Sequence, residues 1–280
     1  MLNTTDGLVL RVTDREDNDK LLTILTPDRG QIAVIAKGAR SMHSKLLSLV
    51  QPFTYANFEI YEKNGPLGWL RGGSVIEPFY GVRNDLDNLA LAAYLAEVGC
   101  DITGEGEPAV DILRLLLNSL FALSGGLKPP WIVKGTFELR AAGFSGFMPD
   151  FSGCDACGKT ISDPMYLDVM NGRLLCSECV RTAGKVRRTE MEMEDAGELS
   201  LLLPMTASVT AACRYILTAR PERMYAFSLE ESERENFSRV CEDYLLHHLE
   251  RGFDSLDFYK SIAPDAIIKQ PLLNQTKQEL

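Results

Sequence analysis

Four of the chain's seven cysteines stand in two Cys-x-x-Cys pairs, Cys154/Cys157 and Cys176/Cys179, with eighteen residues between the pairs. Such a segment has few meanings: one metal site, two redox pairs, two disulfides, or four buried thiols. The start of the chain, "MLNTTDGLVLRVTDRED", lacks a basic stretch followed by an apolar one, so a cytoplasmic, nucleoid-associated setting is expected and thiols there stay reduced. A redox pair would follow a strand and open a helix in a βαβ context, which the sequence does not offer. The spacing is that of a four-cysteine zinc site. Gly158 permits the tight turn after the first pair, and a hairpin turning at Asn171–Gly172 would bring the second pair back beside the first. The expectation is a zinc ribbon holding one ion through Cys154, Cys157, Cys176 and Cys179. Four thiolates leave no place for a water, and none of His43, His247 and His248 is near in sequence, so a structural role is expected.

The residues before this segment change character once. "GLVLRV", "KLLTILT", "QIAVIAKG", "FTYANFEIYE" and "LGWLRGGSVIE" are short runs rich in β-branched and aromatic residues, with turns predicted at "TPDRG" and "KNGP" (Asn64, Gly65). Five strands within 1–80 match a small closed barrel, with an OB-fold expected and an SH3-like barrel the alternative. From residue 84 the apolar spacing becomes helical. Helices are expected over 84–103 with Asn84 or Asp85 as cap, over 107–126, over 129–143, over 206–218, and over 228–252. The last of these would have Ser228 and Glu231 as a capping box and Gly252 as terminator.

The resulting architecture is α+β and multidomain. A barrel occupies 1–80, a helical domain 81–150 and 183–255, a four-cysteine insertion 151–182, and a partly disordered tail 256–280. The helices on either side of the insertion are expected to form one bundle.

Charge then points to the barrel. The chain carries −10 overall, which argues against nucleic acid, but residues 1–80 hold nine basic and nine acidic side chains and are neutral. Between Arg29 and Phe58 lie Arg29, Lys37, Arg40 and Lys45 and not one carboxylate, with Arg71 in a later strand. A locally cationic strip on a barrel is the pattern of a phosphate-tracking groove, and Phe53, Tyr55 and Phe58 are nearby aromatics that either stack bases or fill the barrel. A second basic group, Arg181, Lys185, Arg187 and Arg188, follows the cysteines. Cys100, Cys213 and Cys241 read as core. No phosphate loop, dinucleotide fingerprint or nucleophile–base set is present, so the chain is not expected to be an enzyme. The competing reading is an interaction scaffold whose barrel and helices bind only proteins.

Taken in order, "LVLRVTDREDNDKLLTILTPDRGQIAVIAKGAR", "SKLLSLVQPF", "FELRAAGFSGFMPDFSGCDACG" and "YLLHHLERGFDSLDFYKSI" resemble the RecO family of bacterial recombination mediators, in its zinc-bearing branch. The resemblance implies an N-terminal OB-fold, a helical domain and a zinc-finger insertion. It implies binding of single- and double-stranded DNA and annealing of complementary strands. It further implies action with RecR to load RecA on DNA coated by single-strand-binding protein, whose acidic C-terminal tail is another ligand. By position, Lys37, Arg40 and Lys45 would contact DNA.

Overall fold

The structure, a computed structural model, describes residues 1–16, 18–62, 67–182 and 201–263. The predicted turn at Asn64–Gly65, the basic residues Lys185, Arg187 and Arg188, and the tail from 264 onward lie outside the described residues.

The five expected strands form: β1 (Leu2–Arg15), β2 (Asp19–Thr26), β3 (Gly30–Ala36), β4 (Tyr55–Glu62) and β5 (Leu67–Glu77). They close in the order β1-β2-β3-β5-β4, with β4 returning to β1, the strand order of an OB-fold. All pairings are antiparallel except β3 with β5. Alternation decides which side chains enter. In β4, Ala56, Phe58 and Ile60 are buried, while Tyr55, Asn57, Glu59 and Tyr61 point away from the interior. The interior is filled by Val9, Leu22, Ile24, Ile32, Val34, Phe58, Ile60 and Leu70. An irregularity between Val9 and Arg11 bends β1, so its first half pairs with β4 and its second half with β2.

The chain divides into two compact units. The first comprises Met1–Pro130 and Phe253–Ala263, and so includes helices beyond the barrel. These are the short α1 (Tyr80–Arg83), α2 (Leu86–Asp101), α3 (Val110–Ser124) and a helix near the C-terminus, Asp254–Ile262. Asp85 caps α2, its side chain accepting from the Asn88 amide at 2.8 Å.

The helices adjoin the barrel for a visible reason. The β2–β3 hairpin donates and accepts backbone hydrogen bonds with the α2–α3 connection: Gln31 N to Gly104 O at 3.1 Å, Gly106 N to Arg29 O and Ala109 N to Pro27 O, both at 2.9 Å. Gly30 sits there at φ 59, and a Cβ on it would lie 2.2 Å from the Gly104 carbonyl oxygen. Thus α2 and α3 group with the barrel and the helix at Asp254–Ile262 in the first unit, whereas the pattern of helical segments suggested one bundle with the helices of 183–255.

The second unit contains α4 (Pro130–Phe144), whose first residue belongs to the first unit. It also holds strands β6 (Asp150–Cys154), β7 (Met165–Asp168), β8 (Arg173–Cys176) and β9 (Leu202–Met205), and helices α5 (Ala207–Thr218) and α6 (Arg234–Leu249). With these numbered, Asp254–Ile262 is α7. The strands form one sheet in the order β6-β8-β7-β9. The cysteine ribbon is therefore completed by β9, which lies beyond the insertion expected to end at 182. Every residue from Trp131 to Ala142 is buried. At Gly135 a Cβ would meet the Phe237 ring at 2.4 Å, so α4 and α6 touch where α4 has no side chain.

Two helix ends differ from expectation. The capping box at Ser228 and Glu231 does not form. Glu231–Glu233 make a 3₁₀ turn first, so α6 begins at Arg234 without a side-chain cap. Its end is Glu250, in the left-handed region at φ 53, not Gly252. Residues 256–262, expected to lie in the tail, belong to α7, which packs on α2, with Phe253 edge-on to Tyr94 at 5.7 Å. Among the described residues, no helix is long and apolar enough to cross a membrane.

Candidate metal centre and nucleic-acid interface

The four cysteines converge. Cys154 ends β6, and its carbonyl accepts from Gly158 N at 2.7 Å while its own amide donates to Lys159 O at 2.8 Å. This closes a turn that only works with Gly158 in the left-handed region (φ 71). The β7–β8 hairpin returns Cys176 to the same place, its amide donating to the Cys154 sulfur at 3.2 Å. The hairpin turn is held by Asp168, which accepts from Asn171 Nδ2 at 2.9 Å and Arg173 Nε at 3.2 Å, with Gly172 at φ 61. Cys179 follows on the helical residues 177–182.

All four sulfurs lie within 4.8 Å of one another, and Cys157 and Cys176 are 3.7 Å apart. A tetrahedron of sulfurs about 2.3 Å from a central zinc has edges of about 3.8 Å, so the donor set fits one such ion. The thiols also pull against each other. Burial raises Cys154, but amide donors from Cys176, Cys157 and Ala156 overcome it and draw the thiol down. Neighbouring Cys157 and Cys176 push Cys179 up. A cation at the centre would satisfy all four thiolates at once. With four sulfurs around it, the ion would keep no position for water.

The cationic residues of the barrel separate into two kinds. Arg29 is held by Glu62 at 2.6 Å, and Arg40 lies 3.6 Å from Asp14. Lys37 and Lys45 are exposed and Arg71 lies over the Tyr61 ring at 5.2 Å; among the described residues none of these three has a carboxylate partner. Lys37 and Arg71 are neighbours by register. The parallel β3–β5 pairing sets Ile35 beside Trp69, and two residues further on come Lys37, just past the end of β3, and Arg71 in β5. Arg71 is also the residue left over at a bulge, since Glu59 pairs with Gly72 and Ile60 with Leu70.

Lys37 and Arg71, together with Tyr61, Trp69 and Leu70, line an open concavity of about 270 Å³ on the barrel surface. Tyr61 and Trp69 are cross-strand partners with ring centroids 6.4 Å apart at 43°. These are not the aromatics that proximity to the cations suggested. Phe58 is fully buried in the barrel core, Phe53 is buried in the connection before β4, and Tyr55 is half-buried. Strand phase was the missed signal: Tyr61 shares the outward parity of Asn57 and Glu59.

The remaining candidates play other parts. Arg181 belongs to the second unit and is exposed, its Nε donating to Ser177 O at 3.3 Å. The finger's other described cations are paired, Lys159 with Glu178 and Arg173 with Asp155 and Asp168. His248 stacks on Phe147 at 4.7 Å and burial lowers its pKa, so it is part of an aromatic cluster. Cys213 and Cys241 are fully buried as expected, and Cys100 partly so.

Comparison with known proteins covers both the barrel and the cysteine-bearing part of the chain. Residues 1–79 match the family model described as recombination protein O N terminal, and residues 83–192 that described as recombination protein O C terminal. The chain is 30% identical over 258 residues to a protein of Acetivibrio thermocellus named DNA repair protein RecO, covering 92% of this chain and 96% of that one. Proteins of the same name from Alkaliphilus metalliredigens (30% identity, 94% and 100% covered) and Anaeromyxobacter sp. strain K (31%, 92% and 96%) are similarly close. The barrel, the four-cysteine sheet and these similarities along almost the whole chain lead to one conclusion: the chain belongs to the RecO family of DNA repair proteins.

Proposed function

We propose that the protein is a non-enzymatic recombination mediator that binds single- and double-stranded DNA through the outer face of its barrel and anneals complementary strands. The observation that carries this reading is the meeting of Lys37 and Arg71 around an open concavity with no carboxylate among its described lining residues. Annealing needs a surface that screens phosphate repulsion while leaving base edges accessible, and cations on an open barrel face do that. Lys45, exposed in the β3–β4 connection, is a further cation, whereas Arg29 and Arg40 contribute only when phosphate displaces Glu62 and Asp14. The balance of −10 implies weak binding that falls steeply with salt.

The partners that accompany this reading are RecR, the acidic tail of single-strand-binding protein, and through them RecA. Zinc at Cys154, Cys157, Cys176 and Cys179 has a structural role in it, and Arg181 is an accessory contact.

A labelled-strand annealing assay across salt, with and without single-strand-binding protein, tests the proposal. Replacing Lys37, Arg40 and Lys45 together with Ala is expected to slow annealing about tenfold or more at low salt. The slope of log affinity against log salt should fall by up to about 2 for single strands. Unchanged annealing and affinity in that variant would leave the barrel face without a role and favour a scaffold that binds only proteins.

A further inference from the structure

We propose that the concavity at Trp69 is a stacking site for one unpaired nucleobase, with Arg71 and Lys37 placed to take the flanking phosphates. The inference rests on the reading of the barrel face as a DNA surface and adds what that reading leaves open, namely which part of the nucleic acid the face recognises.

Cations alone would track any polyanion, duplex or single-stranded. Here they border two aromatic rings. Tyr61 and Trp69 both have outward parity on adjacent strands, both are only half-buried, and they bound an opening rather than the interior. Their 43° tilt leaves the indole and the phenol at an angle, not face to face, so the two rings do not close over each other. Arg71 already lies over the Tyr61 ring, which holds its guanidinium beside the opening. Leu70, 5% exposed, forms an apolar floor. An apolar floor, a tilted aromatic wall and two cations at the rim suit a flat apolar ring carrying an anionic backbone.

A base inside a duplex cannot enter, because its faces are occupied by its neighbours. A base in a single strand can, and every base offers a π face, so the site is tolerant of sequence. Stacking uses the face of the base and leaves its pairing edge exposed, which is the condition for a second strand to pair with a bound one. An ordinary cross-strand aromatic pair would also stabilise the sheet. That role requires neither the opening nor the two cations beside it.

The chain has two tryptophans, and Trp131 is 5% exposed in the second unit, so its emission supplies a steady background to that of Trp69. The experiment titrates the full-length protein at low salt with oligothymidylate, an abasic strand of equal length and charge, and a duplex. Oligothymidylate is expected to quench Trp69 and bind on the order of tenfold more tightly than the abasic strand, which should not quench. The duplex should bind without quenching. Trp69→Leu should lose the tenfold preference for bases over abasic sugar, whereas Trp69→Phe should keep most of it.

Equal affinity for the abasic strand, or equal quenching by duplex, would overturn the stacking site while leaving the cationic face intact. Absence of binding by every strand would overturn both. Retention of the preference in Trp69→Leu would place the base elsewhere.

Discussion

The two units of this molecule treat charge in opposite ways. In the first, Lys37 and Arg71 beside the barrel's opening, and Lys45 in the β3–β4 connection, are exposed without a carboxylate partner among the described residues. In the second, the buried charged groups are satisfied within the protein. Four cysteine sulfurs share one centre, and Lys134, 4% exposed, lies 2.7 Å from both Glu138 and Glu242. Glu138 and Glu242 are almost fully buried, and their charges raise the Lys134 pKa against the burial that would lower it. A charge left in water costs little and remains available to a ligand, whereas a charge taken inside must be satisfied by the protein itself. The first arrangement suits binding, and the second holds a shape.

The contrast is sharpest at the cysteines. Zinc in small structural sites contributes roughly 10–16 kcal/mol to folding, and two strands of the β6–β9 sheet, β6 and β8, end at this centre. Chelation or Cys176→Ser is therefore expected to abolish metal binding and unfold the second unit, seen as loss of its thermal transition and exposure of Trp131. The barrel should persist, with Trp69 emission unchanged. A second unit that keeps its transition with less than about a tenth of an equivalent of metal would remove the structural role.

The buried ion pairs come next. Lys134→Met leaves Glu138 and Glu242 close together without their shared cation, and should destabilise the second unit by about 3–5 kcal/mol. Denaturant unfolding followed at Trp131 measures it. A loss below about 1 kcal/mol would mean that the second unit tolerates open charge as the first does.

The smallest effect lies on the barrel. Glu62→Gln frees Arg29 from its 2.6 Å partner and is expected to raise affinity for single strands about two- to fivefold at low salt, with stability nearly unchanged. Affinity that stays the same would show that Arg29 points to Glu62 and plays no part in the DNA face.

Much of this was readable from the residues. The barrel strands announced themselves through short β-branched and aromatic runs broken by turns. The Cys-x-x-Cys pairs specified their own convergence, because a glycine after the first pair and a hairpin before the second leave few other arrangements. The helices over 86–101 and 207–218 followed from apolar period, the first also from a cap at Asn84 or Asp85; that Thr206 caps the second was found only in the structure. What failed were features set by competition beyond the local window. Ser228 could cap a helix, but the chain takes a 3₁₀ turn before α6. Helical period shows that α2 and α3 are amphipathic but not what they face; hydrogen bonds from a hairpin some seventy residues upstream decide that.

The distinction is clearest at the opening on the barrel. Sequence alone determined that the first 80 residues are neutral and that a run of cations without a carboxylate lies between Arg29 and Phe58, because composition and order are local properties. Which aromatics stand outside depends on strand phase, and which cation meets them depends on a parallel pairing between strands that no turn connects. Only closure of the barrel brings Lys37 to Arg71 beside Tyr61 and Trp69. Long-range strand pairing carries no local signal, since the residues that meet are specified by register and not by their neighbours in the chain.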